Sequence, residues 1–396
     1  MLGRKAPLNL EEGSAPMTER IHEFLRRRRE DGLDDGPCLV VDLDVVRDNY
    51  AAFAKALPDS RVFYAVKANP APELLQLLVK LGSCFDTASV AEIEMVLAAG
   101  AAPERISFGN TIKKERDVAR AFALGVRLFA VDCKAEVEKI ARAAPGAKVF
   151  CRFLFGCAGA EWPLSRKFGC DPEMAVGVLE HAHRLGLEAV GVSFHVGSQQ
   201  RRTAAWDEAL KSASAIFRAC AERGIGLTMV NLGGGFPTKY LRDVPAVESY
   251  GRSIFRALRK HFGNRIPETI IEPGRGMVGN AGLIEAEVVL VSNKSEHDHV
   301  RWVYLDIGKF GGLAETMGES IRYPIKTPRD GDEVGPCVLA GPTCDSADVL
   351  YEKRPYDLPI SLEIGDKVLI EGTGAYTATY AAVAFNGIAP LRTFHI

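Results

Sequence analysis

The apolar positions of this chain follow two periods. Between residues 60 and 276, short β-like runs alternate with amphipathic helical patterns. The runs are RVFYAVKAN, SCFDTAS, RISFGN, RLFAVDC, KVFCRFLF, AVGVSFHVGS, LTMVNLGGG and TIIEPGR. Segments such as PELLQLLVKLG and DEALKSASAIFRACAERG predict helices between them. Ser89 with Glu92 has capping-box spacing before IEMVLAAG, and Gly100 is the stop signal. Eight β–α alternations predict a parallel sheet closed into a (β/α)8 TIM-like barrel. An open doubly wound sheet is the runner-up.

After residue 276 the pattern changes. LIEAEVVLVSNK, WVYLDIG, PCVLAGPTC, DKVLIEGTGAY and APLRTFHI are strand-like, and only a short helix candidate lies near 313–320. A mainly antiparallel β-sandwich or β-barrel domain is expected there. The expected division is a disordered tail over 1–19, the barrel over 43–277, and a β domain made of 20–42 plus 278–396. Met17 offers an alternative start. RRRR at 26–29 follows Ile21, Phe24 and Leu25 at helical spacing and reads as a solvated helix face.

Composition narrows the function classes. A net charge of −2 gives no footprint for nucleic acid or an anionic membrane surface. No apolar run reaches about 18 residues, and the N-terminus lacks an apolar signal core. Nine cysteines without CxxC pairs, in a chain of 396 residues, point to a reduced, cytoplasmic protein. The histidines and cysteines form no zinc spacing, so no metal site is expected.

The polar residues near the strand ends carry the chemistry. In order they are Lys67, Asp86, Asn110, Asp132, Arg152, His195, Gly233-Gly234-Gly235, and Glu272 with Arg275. A barrel gathers the C-terminal ends of its strands on one face, where active sites form. Each residue alone has a plain reading. Asn110 and Asp132 read as caps or turn residues, Lys67 as a salt-bridged lysine, His195 as structural, and Glu272–Arg275 as an ion pair.

On one rim they read differently. A deprotonated lysine forms a Schiff base with an aldehyde. Three glycines let backbone N–H groups approach an anion. His195 could stack on a planar ring and Ser198 bind a phosphate. Glu272 could pair with a protonated heterocyclic nitrogen, with Arg275 as an anion clamp. GPTCDSAD at 341–348 sets Cys344 beside Asp345 in a loop that favours exposure. The glycine run NLGGGFP at 231–237 is neither a Walker A loop nor a GxGxxG fingerprint, and no GxSxG elbow is present.

Taken in order, FYAVKAN, FDTAS, SRKFG, FHVGSQ, GGGFP, EPGR, GPTCDSAD and GAYT resemble the fold-type III pyridoxal-phosphate decarboxylases of basic amino acids, ornithine/lysine branch. The resemblance spans roughly residues 38 to 390. It implies a barrel plus β domain, and a homodimer with active sites at the interface. It implies pyridoxal 5'-phosphate on Lys67 as a Schiff base, His195 against the ring, and Glu272 at its nitrogen. Ser198, Gly233, Gly234, Gly235, Arg275 and Tyr376 would surround the phosphate, with Asp86 and Arg152 in support. Cys344 and Asp345 would come from the other subunit, Cys344 to protonate Cα. The implied reaction is decarboxylation of ornithine or lysine to putrescine or cadaverine.

Asp345 and Glu319 are the candidates for the substrate's distal ammonium. Relatives often read Asp-Glu where this chain has Gly318-Glu319, which leaves room for a longer or modified substrate. Arginine and diaminopimelate are the alternative substrates. Diaminopimelate relatives usually read Cys-Glu-Ser where this chain has Cys344-Asp345-Ser346. A racemase, a non-catalytic regulator like the antizyme inhibitors, and a sugar-phosphate barrel enzyme fit the motifs less well.

Overall fold

The computed structural model describes residues 18–156, 160–162 and 167–396. Residues 1–17, most of the expected tail, lie outside the described residues. Thr18 and Glu19 do not: Thr18 is the N-cap of the helix Glu19–Glu30. Arg26 and Arg27 pair with Glu30 and Glu23 one turn away, as on a solvated face. Arg28 differs. It is buried, with its guanidinium 4.4 Å from the Phe394 ring.

Eight parallel strands close the barrel: β1 Ser60–Ala65, β2 Cys84–Thr87, β3 Ile106–Phe108, β4 Leu128–Val131, β5 Lys148–Arg152, β6 Glu188–Ser193, β7 Met229–Asn231 and β8 Glu268–Ile271. Each pairs with its sequence neighbour, and β8 returns to β1 through Thr269–Ser60 and Ile271–Val62. Phe63, Cys84, Ala130, Phe150, Val190, Met229 and Ile270, one from each of seven strands, pack as one apolar cluster that fills the interior. Residues of opposite parity, such as Val62, Tyr64 and Phe85, pack outward under the helices.

The helix signals behave as local chemistry dictates. Ser89 Oγ accepts the Glu92 N–H at 3.2 Å. Glu92 returns the bond one residue early, to the N–H of Ala88 at 2.6 Å. No helix of the described residues is long and apolar enough to cross a membrane.

The second unit is an eight-stranded sheet of mixed direction. Its longest strands are Gly282–Ser292 and Val349–Pro359. Most pairs are antiparallel, including Cys38–Val41 with Gly282–Ser292. Two pairs are parallel: Cys38–Val41 with Arg392–His395, and Arg301–Leu305 with Val334–Ala340. The first joins the two ends of the chain, a long-range pairing that local pattern cannot announce.

Candidate active site

The site begins where β1 stops. The run that reads as a strand through Lys67 leaves extended geometry at Ala65 and turns as a 3₁₀ helix, Val66–Ala68. Asn69 fixes the turn. Its N–H donates to Val66 O at 3.1 Å, its side chain donates to Gly374 O at 3.1 Å, and its carbonyl accepts from the Tyr64 hydroxyl at 2.8 Å. The Tyr376 N–H closes on Ala68 O at 2.9 Å. The GAYT segment of the β domain therefore packs directly on the turn that carries Lys67.

Lys67 lines a cleft with Ala65, His195, Ser198, Gly234, Gly235, Phe236, Glu272, Gly274, Arg275, Glu315, Tyr376 and Tyr380. Those up to Arg275 follow separate barrel strands, so the barrel closure assembles them, while Glu315, Tyr376 and Tyr380 come from the β domain. The enclosing protein works against the Lys67 charge, although the side chain still opens on the cleft. The Tyr376 oxygen, Asp86 and Glu272 outweigh that effect, against Arg152, and hold the amine above the usual lysine range.

Two carboxylates face the lysine. Asp86 is pushed well above the usual carboxyl range by burial, then by Glu272; Lys67 and the Ser107 hydroxyl, 3.0 Å away, oppose the shift. Glu272 follows β8 and accepts from the side-chain amide of Asn231 at the end of β7. Asn231 also holds the Gly233 N–H at 2.9 Å, so one amide sets both the carboxylate and the start of the glycine run.

His195 is kept neutral by burial, and then by the charges of Arg152 and Lys67. Its Nδ1 accepts the Gly197 N–H at 3.0 Å, which leaves the proton on Nε2. Arg152 ends β5 and lies with its guanidinium 5.4 Å from the Phe168 ring.

The glycine run is tight. Gly233 has φ +67°, and a Cβ there would stand 2.1 Å from Phe194 O. A Cβ on Gly234 would meet Glu272 O at 2.7 Å and His195 Nε2 at 3.3 Å. The N–H groups of Gly234 and Gly235 make no hydrogen bond among the described residues and lie at the cleft. Beside them Arg275 donates to Ser198 Oγ from Nε and Nη2, both at 3.3 Å. Free N–H groups, a serine and an arginine at the end of a narrow cleft make an anion subsite.

Cys344 and Asp345 do not line this cleft. Cys344 is exposed on the β domain. Asn386 grips it twice: Oδ1 accepts the Cys344 N–H at 3.0 Å and Nδ2 donates to the sulfur at 3.1 Å. Asp345 accepts the Ala347 N–H at 2.8 Å within its own turn. Glu319 also lies apart. It is buried at φ +57°, and its carboxylate takes the N–H groups of Glu352, Lys353 and Arg354. Asn110 and Asp132 serve loops: Asn110 Oδ1 accepts the Ile112 N–H, and Asp132 accepts from Thr111 and Gly169.

Sequence reading missed Glu315, Asn231 and Asn386. Asn231 sits just before the glycine run and had a positional signal. Glu315 and Asn386 meet their partners at separations of 40 and 42 residues, with none.

The residues present fit a phosphorylated pyridoxal. An accessible lysine, a neutral imidazole, a held carboxylate and an anion subsite share one cleft that a Cβ on Gly234 would crowd. Residues 43–279 match the family model "Pyridoxal-dependent decarboxylase, pyridoxal binding domain". The chain is 38% identical over 362 residues to a lysine/ornithine decarboxylase of Selenomonas ruminantium, covering 90% of this chain and 89% of that protein. It superposes on the lysine/ornithine decarboxylase of Vibrio vulnificus complexed with cadaverine at TM-score 0.85 and 32% identity, covering 96% of this chain and 100% of that one. It is also 33% identical to antizyme inhibitor 2 of Xenopus laevis, over 94% of this chain and 82% of that protein. Cleft, barrel and sequence agree: the chain belongs to the pyridoxal-dependent decarboxylase family, and its cofactor is pyridoxal 5'-phosphate.

Proposed function

We propose that the protein decarboxylates ornithine or lysine as a cytoplasmic homodimer whose two active sites are each completed by the other copy. The observation that carries this reading is a division of labour. Lys67, His195, Glu272 and the anion subsite share one cleft, while Cys344 and Asp345 stand outside it on an exposed loop. Exposed apolar residues surround Asn386, which holds Cys344: Val383 is 88% exposed, and Tyr380, Phe385 and Ile388 are also exposed. An apolar strip beside a reactive-type loop fits a homodimer interface. The cysteines of the described residues are free thiols, which suits a reducing cytoplasm.

Bound pyridoxal phosphate supplies an electron sink for the pair left on Cα when carbon dioxide departs. The chain supplies the rest. Lys67, whose amine opens on the cleft, would hold the cofactor through its aldehyde. Glu272, aimed by Asn231, keeps a proton at the ring nitrogen. His195, uncharged, lines the cleft where it would hold the ring without competing for that proton. Ser198, Arg275, Tyr376 and the free N–H groups of Gly234 and Gly235 would bind the phosphate, Gly233, with its N–H held by Asn231, would fix the start of that run, and Asp86 and Arg152 set the field around the lysine.

From the second copy, Cys344 delivers a proton to Cα, and Asp345 binds the distal ammonium of the substrate. Glu319, the other candidate for that ammonium, already has its carboxylate taken by three N–H groups of its own chain.

The test is direct. The purified protein with pyridoxal phosphate should show a visible absorbance that borohydride fixes onto Lys67. It should then release carbon dioxide from ornithine or lysine faster than from arginine or diaminopimelate. Fixation elsewhere than Lys67 would sink the site assignment. A preference for arginine or diaminopimelate would move the substrate, and fixation without turnover would favour a regulator.

A further inference from the structure

Arg275 has five N–H groups, and each one has a partner in this chain. Nη1 donates to Tyr240 Oη at 2.8 Å and to Glu315 Oε2 at 2.7 Å. Nη2 donates to Glu315 Oε1 at 2.5 Å and to Ser198 Oγ at 3.3 Å. Nε donates to the same Ser198 Oγ at 3.3 Å. The two Glu315 bonds are short and the two Ser198 bonds are long. Glu315 thus takes the terminal edge of the guanidinium, Nη1 and Nη2, as a bidentate clamp. The lateral edge, Nε and Nη2, is held loosely over Ser198.

The Glu315 carboxylate has no other hydrogen-bond partner among the described residues, and the pair is sealed, with side chains 3% and 6% exposed. It is a costly arrangement. A buried carboxylate needs strong hydrogen bonds to be tolerated. A negative charge near a phosphate subsite also repels the ligand. Direction is what the arrangement gains. A planar guanidinium fixed along one edge presents its other edge at one angle, and arginine recognises oxyanions edge-on.

We propose that Glu315 is a positioning residue for the cofactor's phosphate: it locks one edge of Arg275 so that Nε and Nη2, beside Ser198 and the glycine run, face the phosphate. The proposal rests on reading that corner of the cleft as the phosphate subsite.

The experiment compares pyridoxal phosphate with pyridoxal, which has the same aldehyde and ring but no phosphate. The full-length protein, stripped of cofactor, is titrated with each, and the ratio of the two dissociation constants measures phosphate recognition. Wild type should favour pyridoxal phosphate strongly. Glu315→Ala should lower the ratio by about tenfold or more, through weaker pyridoxal phosphate binding alone, since hydrogen bonds to charged groups are of that size. Glu315→Gln, which keeps the shape and one acceptor, should fall between them. If Glu315→Ala does not fold, the Gln variant decides. An unchanged ratio, or one that rises because removed negative charge matters more, would overturn the role. Arg275→Lys tests the underlying reading separately. If it leaves the ratio intact, or if wild type does not distinguish the ligands, the phosphate subsite lies elsewhere and the proposal falls with it.

Discussion

Lys67 shows how a residue's chemistry depends on its surroundings. A strand end gives it an exit from the sheet, and the 3₁₀ turn sends it into the cleft. There Tyr376, Asp86 and Glu272 raise its pKa against desolvation and Arg152. The amine is therefore protonated at neutral pH, whereas attack on an aldehyde needs the free base. Capture of pyridoxal phosphate by the cofactor-free protein should accelerate about tenfold per pH unit, from about pH 6 to beyond pH 9. Stopped-flow absorbance measures this directly. A rate that levels off near pH 7 would mean that desolvation wins and the amine is already neutral.

At the scale of elements, the glycine run is the tightest joint of the rim. Gly233 combines φ +67° with a backbone oxygen 2.1 Å from any added Cβ. Gly233→Ala should lose at least about 2 kcal/mol of stability, because left-handed strain adds to the clash with Phe194 O. Urea unfolding checks this, and a loss under about 0.5 kcal/mol, typical of a benign surface change, would mean that the loop can move aside.

The same joint shows what was legible in the sequence. A glycine triplet after an apolar run, like Lys67, His195 and Glu272 after theirs, is a local signal, because each strand brings its own rim residue. Eight such signals in order were enough for the barrel, although two of them, Asn110 and Asp132, serve loops rather than the cleft. The register of Glu319 was not local. Three N–H groups of Val349–Pro359 claim its carboxylate, and no pattern around GGLAETMGES predicts that neighbour. Glu315 in the same stretch reaches Arg275 only because the two units pack together. The parallel pairing of Cys38–Val41 with Arg392–His395 was hidden for the same reason.

At the scale of the whole molecule, the two units meet at the Lys67 turn, through Asn69 to Gly374 and Tyr376 to Ala68. The β domain thus closes the cleft of its own chain with Tyr376 and carries Cys344 elsewhere. If the proposed homodimer is right, Lys67 and Cys344 of one active site belong to different chains, and complementation follows. Lys67→Ala and Cys344→Ala are each expected to be nearly inactive. In a mixed dimer one site carries both defects and the other carries none. Random exchange should therefore restore about a quarter of wild-type activity, since half the dimers are mixed and each has one intact site of two. Carbon dioxide release after mixing and subunit exchange gives the number. Activity that never exceeds the mean of the two variants, with exchange shown by differently tagged chains, would place Cys344 in its own chain's site or outside the reaction.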